Sequence, residues 1–170
     1  MIQKSEIGMR VKRGFTLIEL LIVIVIIGIT SSVALLAFGD FGLSRKIITT
    51  AEHFSAFVKL LQQRAIIETN TFGITIEKDG YAAYRLVNST TWQLMPKNSL
   101  LHWQPFPKNT AVILHKAIKT KSKSPDIIIY STGDMTPFTL DFGTSTTPSI
   151  ISLTGKHNGS LHFNNAERVK

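Results

Sequence analysis

The chain has no cysteine in its 170 residues, which excludes a disulfide scaffold, a thiolate zinc site and thiol catalysis. Charge is scarce and unbalanced: charged residues are 18% of the total, with 11 acids against 19 Lys plus Arg, for a formal net charge of +8. Apolar residues reach 44%, a mixture too apolar for a disordered chain. There is no Gly-x-Ser-x-Gly elbow, no His-Glu-x-x-His and no phosphate-cradling Gly-x-x-x-x-Gly-Lys loop. An Asp-rich loop with calcium-ligand spacing is also missing. The five histidines, His53, His102, His115, His157 and His162, never stand three or four residues apart, so no helix face collects a metal set. Asp134 and Asp141 flank an expected strand at a spacing of seven, which puts them on opposite faces; Asp134 after Gly133 reads as a turn residue. No metal, no cofactor and no enzymatic activity is expected.

What is present is concentrated at the N-terminus. Residues 1–14 carry Lys4, Arg10, Lys12 and Arg13 against Glu6 alone, a local charge of +3. Phe15 to Phe38 follows with a single charge, Glu19, around the run Leu20-Leu21-Ile22-Val23-Ile24-Val25-Ile26-Ile27. At about 1.5 Å per residue this stretch makes roughly 36 Å of helix, enough for a hydrocarbon core of about 30 Å. It is apolar on every face, unlike a surface helix. The basic flank predicts a cytoplasmic N-terminus with the remainder outside. In a secretory signal peptide the small cleavage-site residues follow the apolar region; here Gly14 precedes it.

Arg13-Gly14-Phe15-Thr16-Leu17-Ile18-Glu19 resembles the prepilin peptidase site of the type IV pilin and type II secretion pseudopilin family. The resemblance implies cleavage after Gly14 and N-methylation of Phe15 as the new amino terminus. It also implies an assembly role for Glu19, paired with the terminal amine of a neighbouring subunit. A carboxylate within a membrane helix costs about 2.5 to 3.5 kcal/mol on insertion scales. Glu19 either reaches the interface or finds a cation at its own depth, and the freed amine of Phe15 is such a cation.

Beyond Phe38, Gly39-Asp40-Phe41-Gly42 reads either as a helix break or as a joint, since each glycine costs about 1 kcal/mol in a helix. Ile47, Ala51, Phe54, Val58, Leu61 and Ala65 then recur at steps of four and three, predicting an amphipathic helix over roughly 44–69 packed on a sheet. From Thr71 the period becomes that of strands. Asp79-Gly80 marks a hairpin between 72–77 and 81–86. Further strands are expected at 111–115, 126–131, 137–142, 149–154 and 160–163. Turn clusters lie at 131–134 and 156–159, and 88–108 reads as an irregular crossing loop with short strand pieces.

Trp92 after the first hairpin, and Tyr130-Ser131-Thr132-Gly133-Asp134-Met135-Thr136-Pro137-Phe138-Thr139-Leu140, resemble the minor pseudopilin H of type II secretion. That resemblance spans essentially the whole chain. It implies an α+β, pilin-like fold: a long N-terminal helix, half membrane and half amphipathic, on a C-terminal antiparallel β-sheet or sandwich. The expected organisation is a cleaved leader at 1–14, a transmembrane and assembly segment at 15–38, an amphipathic helix at 39–70 and a periplasmic β domain at 71–170. The implied setting is the bacterial inner membrane, single-pass. The implied partners are the minor pseudopilins I, J and K, the major pseudopilin and prepilin peptidase.

Lys116, Lys119, Lys121 and Lys123 form a basic cluster. It is either a solvated loop or a contact for lipid head groups, an acidic partner or DNA. Related FimT-like minor pilins bind DNA during uptake, so DNA is the partner under an alternative reading. The tail Asn164-Asn165-Ala166-Glu167-Arg168-Val169-Lys170 matches their arginine-bearing tail poorly, and no aromatics interleave the lysines.

Overall fold

The structure is a computed structural model that describes residues 15–116 and 124–165, without the side chains of 34–41, 116 and 165. The leader, with Gly14, and Lys119, Lys121 and Lys123 therefore lie outside the described residues. The chain divides into two compact units, Met1–Phe41 and Gly42–Lys170, taken here in turn.

In the first unit, α1 (Leu17–Ile67) begins. Its large aliphatic side chains from Leu17 to Val33 are all exposed, as expected of a helix apolar all round with no protein packed on it. Thr30 and Ser32 turn their hydroxyls back onto the carbonyls of Ile26 and Gly28, at 2.9 and 2.8 Å, which satisfies both within the helix's own backbone. Among the described residues no helix is long and apolar enough to cross a membrane. The apolar stretch with described side chains, Leu17 to Val33, amounts to about 25 Å of helix, and the expected span continues over 34–38. No helix break occurs at Gly39-Asp40-Phe41-Gly42, since α1 is helical throughout its range.

In the second unit the later half of α1 covers two antiparallel sheets. One contains β1 (Phe72–Glu77), β2 (Gly80–Val87), β3 (Thr91–Leu94), β4 (Gln104–Pro105) and β6 (Ile127–Ile129), in the order β3-β2-β1-β6 with β4 also on β2. The other runs β5-β7-β8-β9, built from Ala111–Lys116, Phe138–Gly143, Ile151–Gly155 and Leu161–Asn165. β6 is shorter than the expected 126–131. The Asp126 carboxylate accepts from the Ile76 N–H at 2.7 Å, and Tyr130 already donates to the Asp134 carbonyl in the next turn.

The predicted stripe is the core. Ile47, Ala51, Phe54, Val58, Leu61 and Ala65 are all buried, facing Ile74 and Ile127 of one sheet and Leu140 and Leu153 of the other. Phe54 sits at the centre, its ring edge-on to Tyr81 at 4.9 Å and to Phe138 at 6.4 Å, an aromatic geometry that adds to the area buried. The helix therefore contacts both sheets through one residue.

Candidate functional site

Thr16 and Glu19 build the first turn of α1. The Glu19 N–H donates to Thr16 Oγ1 at 3.3 Å and to the Thr16 carbonyl at 3.1 Å. Thr16 is thus the N-cap, and Glu19 sits at the third helical position, the Thr-x-x-Glu spacing of a capping box. Aliphatic periodicity does not reveal this cap; the readable signal is the spacing itself. An acid here also faces the positive end of the helix dipole. Glu19 is exposed, and so is Phe15, at 80%.

The lysine cluster lies in the connection from β5 in one sheet to β6 in the other. Lys116 ends β5, its backbone opposite Phe138. Of the cluster only this backbone is described.

His53 and His162 are exposed, and the other described histidines, Asp134 and Asp141 make local contacts. His102 Nδ1 lies 2.6 Å from the Met95 carbonyl and His157 Nδ1 3.3 Å from that of Met135. Asp141 takes a hydrogen bond from Ser152 Oγ at 2.5 Å and pairs with His115 Nε2 at 3.0 Å. The carboxylate stands between the serine and the imidazole, whereas a nucleophile needs the imidazole in the middle. Asp134 closes the 130–135 turn, accepting from Thr132 Oγ1 at 3.0 Å, and is not brought to Asp141 by any described contact. No group of three or more metal-ligating side chains occurs among the described residues.

The segment 133–138 does structural work. Gly133 turns at a φ of 88°, and Phe138 fills the core against Phe54. Next to it, Gly80 allows the 103–104 backbone to close on β2, since a Cβ there would lie 2.5 Å from the Gln104 carbonyl oxygen. That approach sets β4 and Phe106 beside Tyr81, with the rings of Tyr81 and Phe106 5.2 Å apart. Burial pushes the Tyr81 phenol up to about 12.

A family model described as the prokaryotic N-terminal methylation motif matches residues 9–35. The chain is similar to the type II secretion system protein H of Pseudomonas aeruginosa, 29% identical over 143 residues, 78% of this chain and 83% of that one. It is similar to the protein H of Escherichia coli at 26% over 151 residues, 78% and 81% of the two chains. The fold is similar to the minor pseudopilin EpsH of Vibrio cholerae, with a TM-score of 0.63 at 18% identity over 74% of this chain and 99% of that one. The solution structure of Escherichia coli GspH gives 0.62 at 18%, over 78% and 98%.

A long helix that opens on this motif and carries antiparallel sheets on its later half defines a pilin-like fold. The motif, the protein H relatives and the matching fold are all similar to those of type II secretion minor pseudopilins of the H type.

Proposed function

We propose that the chain is a structural subunit that helps to initiate or cap the tip of a type II secretion pseudopilus, and so assists export of folded proteins across the outer membrane. The reading rests on the register of Gly14, Phe15 and Glu19 within the matched motif at the start of an all-round apolar helix. Prepilin peptidase cuts after Gly14, and Phe15 becomes the N-methylated terminus. The α-amino group then pairs with a Glu19 carboxylate of a neighbour, which turns a charge that is unfavourable in lipid into a compensated one. The helix from Phe15 anchors the subunit in the inner membrane, and the β domain stands in the periplasm. Minor pseudopilins of the I, J and K types and the major pseudopilin are its assembly partners.

The relatives carry names of secretion-system proteins, and none is named as an enzyme. DNA capture through Lys116, Lys119, Lys121 and Lys123 is not favoured by the relatives, which are protein H of secretion systems. The test is mass spectrometry of the chain recovered from membranes of cells that carry the secretion system. A terminus at methylated Phe15 is expected; a polypeptide still beginning at Met1 would overturn the reading.

A further inference from the structure

β3 lies at one end of its sheet, with β2 on one side and no strand on the other among the described residues. Its register sets Gln93 opposite Arg85 and Trp92 opposite Leu86. The Met95 N–H donates to the Ala83 carbonyl at 3.0 Å, whereas the Leu86 N–H donates to Thr71, away from β3. Bonded pairs alternate along an antiparallel ladder. Gln93 is therefore bonded to Arg85, and Trp92 and Leu94 turn their N–H and C=O groups away from β2. An edge of this kind is a template for another strand. Neither lysine nor proline guards it between Thr91 and Leu94.

A groove of about 800 Å³ lies between this edge and the last turns of α1. Leu60 and Ile67 of the helix, with Leu94 and Leu100, give it apolar walls. Ile67 is 81% exposed and Leu100 80%, so the walls stand open. Charge in the groove is unequal. Glu68 pairs with Arg64 and lies 3.8 Å from Arg85, and it is the one acid in the lining. One carboxylate thus answers two guanidiniums. Both arginines are partly solvated, at 41% and 47% exposure, so they select an incoming acid and add little affinity. Affinity at such an edge comes from main-chain bonds and from side chains seated at alternate positions.

We propose that the β3 edge accepts an extended segment of another polypeptide as an added strand, apolar at alternate positions and with one carboxylate facing Arg64 and Arg85. Strand side chains alternate between faces, so one set enters the groove against Leu60 and Ile67. A second copy of this chain fits poorly. Two β3 edges paired about a twofold axis bring the two arginine-rich grooves together, like charge against like. Every residue used lies in the second unit, so the inference stands without the membrane reading of 15–38.

The experiment follows amide hydrogen exchange by NMR on the full chain in detergent, with the end-blocked peptide Ser-Val-Thr-Asp-Thr-Val-Ser as probe. In the free chain the Trp92 and Leu94 amides should exchange faster than those of Gln93 and Met95. With about 1 mM peptide both should slow about threefold, as a Kd of about 0.5 mM gives. The same peptide with Lys in place of Asp should bind about threefold more weakly, the worth of an exposed ion pair. Leu94→Pro removes an outward N–H and no bond to β2, a change that edge strands tolerate. It should abolish the protection of Trp92 with the melting temperature kept. Leu100→Ser trims an exposed wall and should weaken binding without unfolding. No protection at 92 and 94, equal binding of the Asp and Lys peptides, or Trp92 protection unaffected by Leu94→Pro overturns the proposal. Slow exchange of both amides in a free chain of dimeric mass would give the edge to a second copy and overturn it too. So would peptide-induced shifts confined to Leu60 and Ile67, which would make the groove a site on the helix alone.

Discussion

Gln62 donates its side-chain amide to the carbonyl of Gly159 at 2.9 Å, and the same nitrogen reaches the carbonyl of Gly133 at 3.1 Å. One helix side chain thus ties together two turns, the one ahead of β7 and the one between β8 and β9. Gly159 is held at a φ of 81°, where a Cβ would meet the Gly133 oxygen at 2.5 Å.

Gln62→Leu removes a donor from two partly buried carbonyls and should destabilise the β domain by about 1 to 3 kcal/mol. Gly159→Ala should also destabilise, through a strained backbone and a steric clash. Urea unfolding of the purified chain measures both. A loss within the scatter of exposed-site substitutions, about 0.5 kcal/mol, would show that the tie contributes nothing.

Phe54 is fully buried and touches rings from both sheets. Phe54→Ala should cost about 3 to 5 kcal/mol, from lost transfer energy plus the cavity left behind. Lys59→Ala, on the exposed side of the same helix, should change stability by less than about 0.5 kcal/mol. Comparable losses at the two sites would contradict the central position given to Phe54.

The Thr16–Glu19 cap and the assembly role proposed for Glu19 can be separated by substitution. Thr16→Ala removes the cap oxygen and leaves the carboxylate, so it should disturb the first helical turn and still permit assembly. Glu19→Leu keeps the helix, and should still insert and be processed, yet fail to co-purify with partner pseudopilins. Recovery of Glu19→Leu in normal amounts with its partners would remove Glu19 from assembly.

Alkaline pH should expose Tyr81. Its phenol ionises near 12 in the folded chain and near 10 when unfolded, so between these values the folded state binds more protons. Stability then falls as pH rises through that window. Below pH 10 both states are neutral and no contribution changes. The Tyr81 phenolate absorbance should appear only near pH 12, and Tyr81→Phe should flatten the alkaline loss. An unchanged pH profile in that variant would refute the assignment.

Several elements were legible before any coordinates. The all-round apolar run, the methylation motif at its start, the helix stripe from Ile47 to Ala65 and the Asp79-Gly80 hairpin all follow from patterns a few residues long. The Thr16 cap escapes aliphatic periodicity, and the structure revealed it; only the Thr-x-x-Glu spacing carries it in the sequence. The bounds of β6 were less legible, because a side chain of the connection, Asp126, is bound to the backbone of β1, and no local signal encodes that.

The amino-acid order by itself determined where the helix stripe, the first hairpin and the N-terminal methylation motif lie, because these depend on neighbours within a turn or a pleat. Only the tertiary structure decided that Gln62 joins turns 71 and 97 positions away. It alone set Asp141 between His115 and Ser152, and packed Tyr81 against Phe54, Phe57 and Phe106. Such meetings arise when two sheets close on one helix, and their energy lies in long-range packing and desolvation, which residue order alone does not reveal.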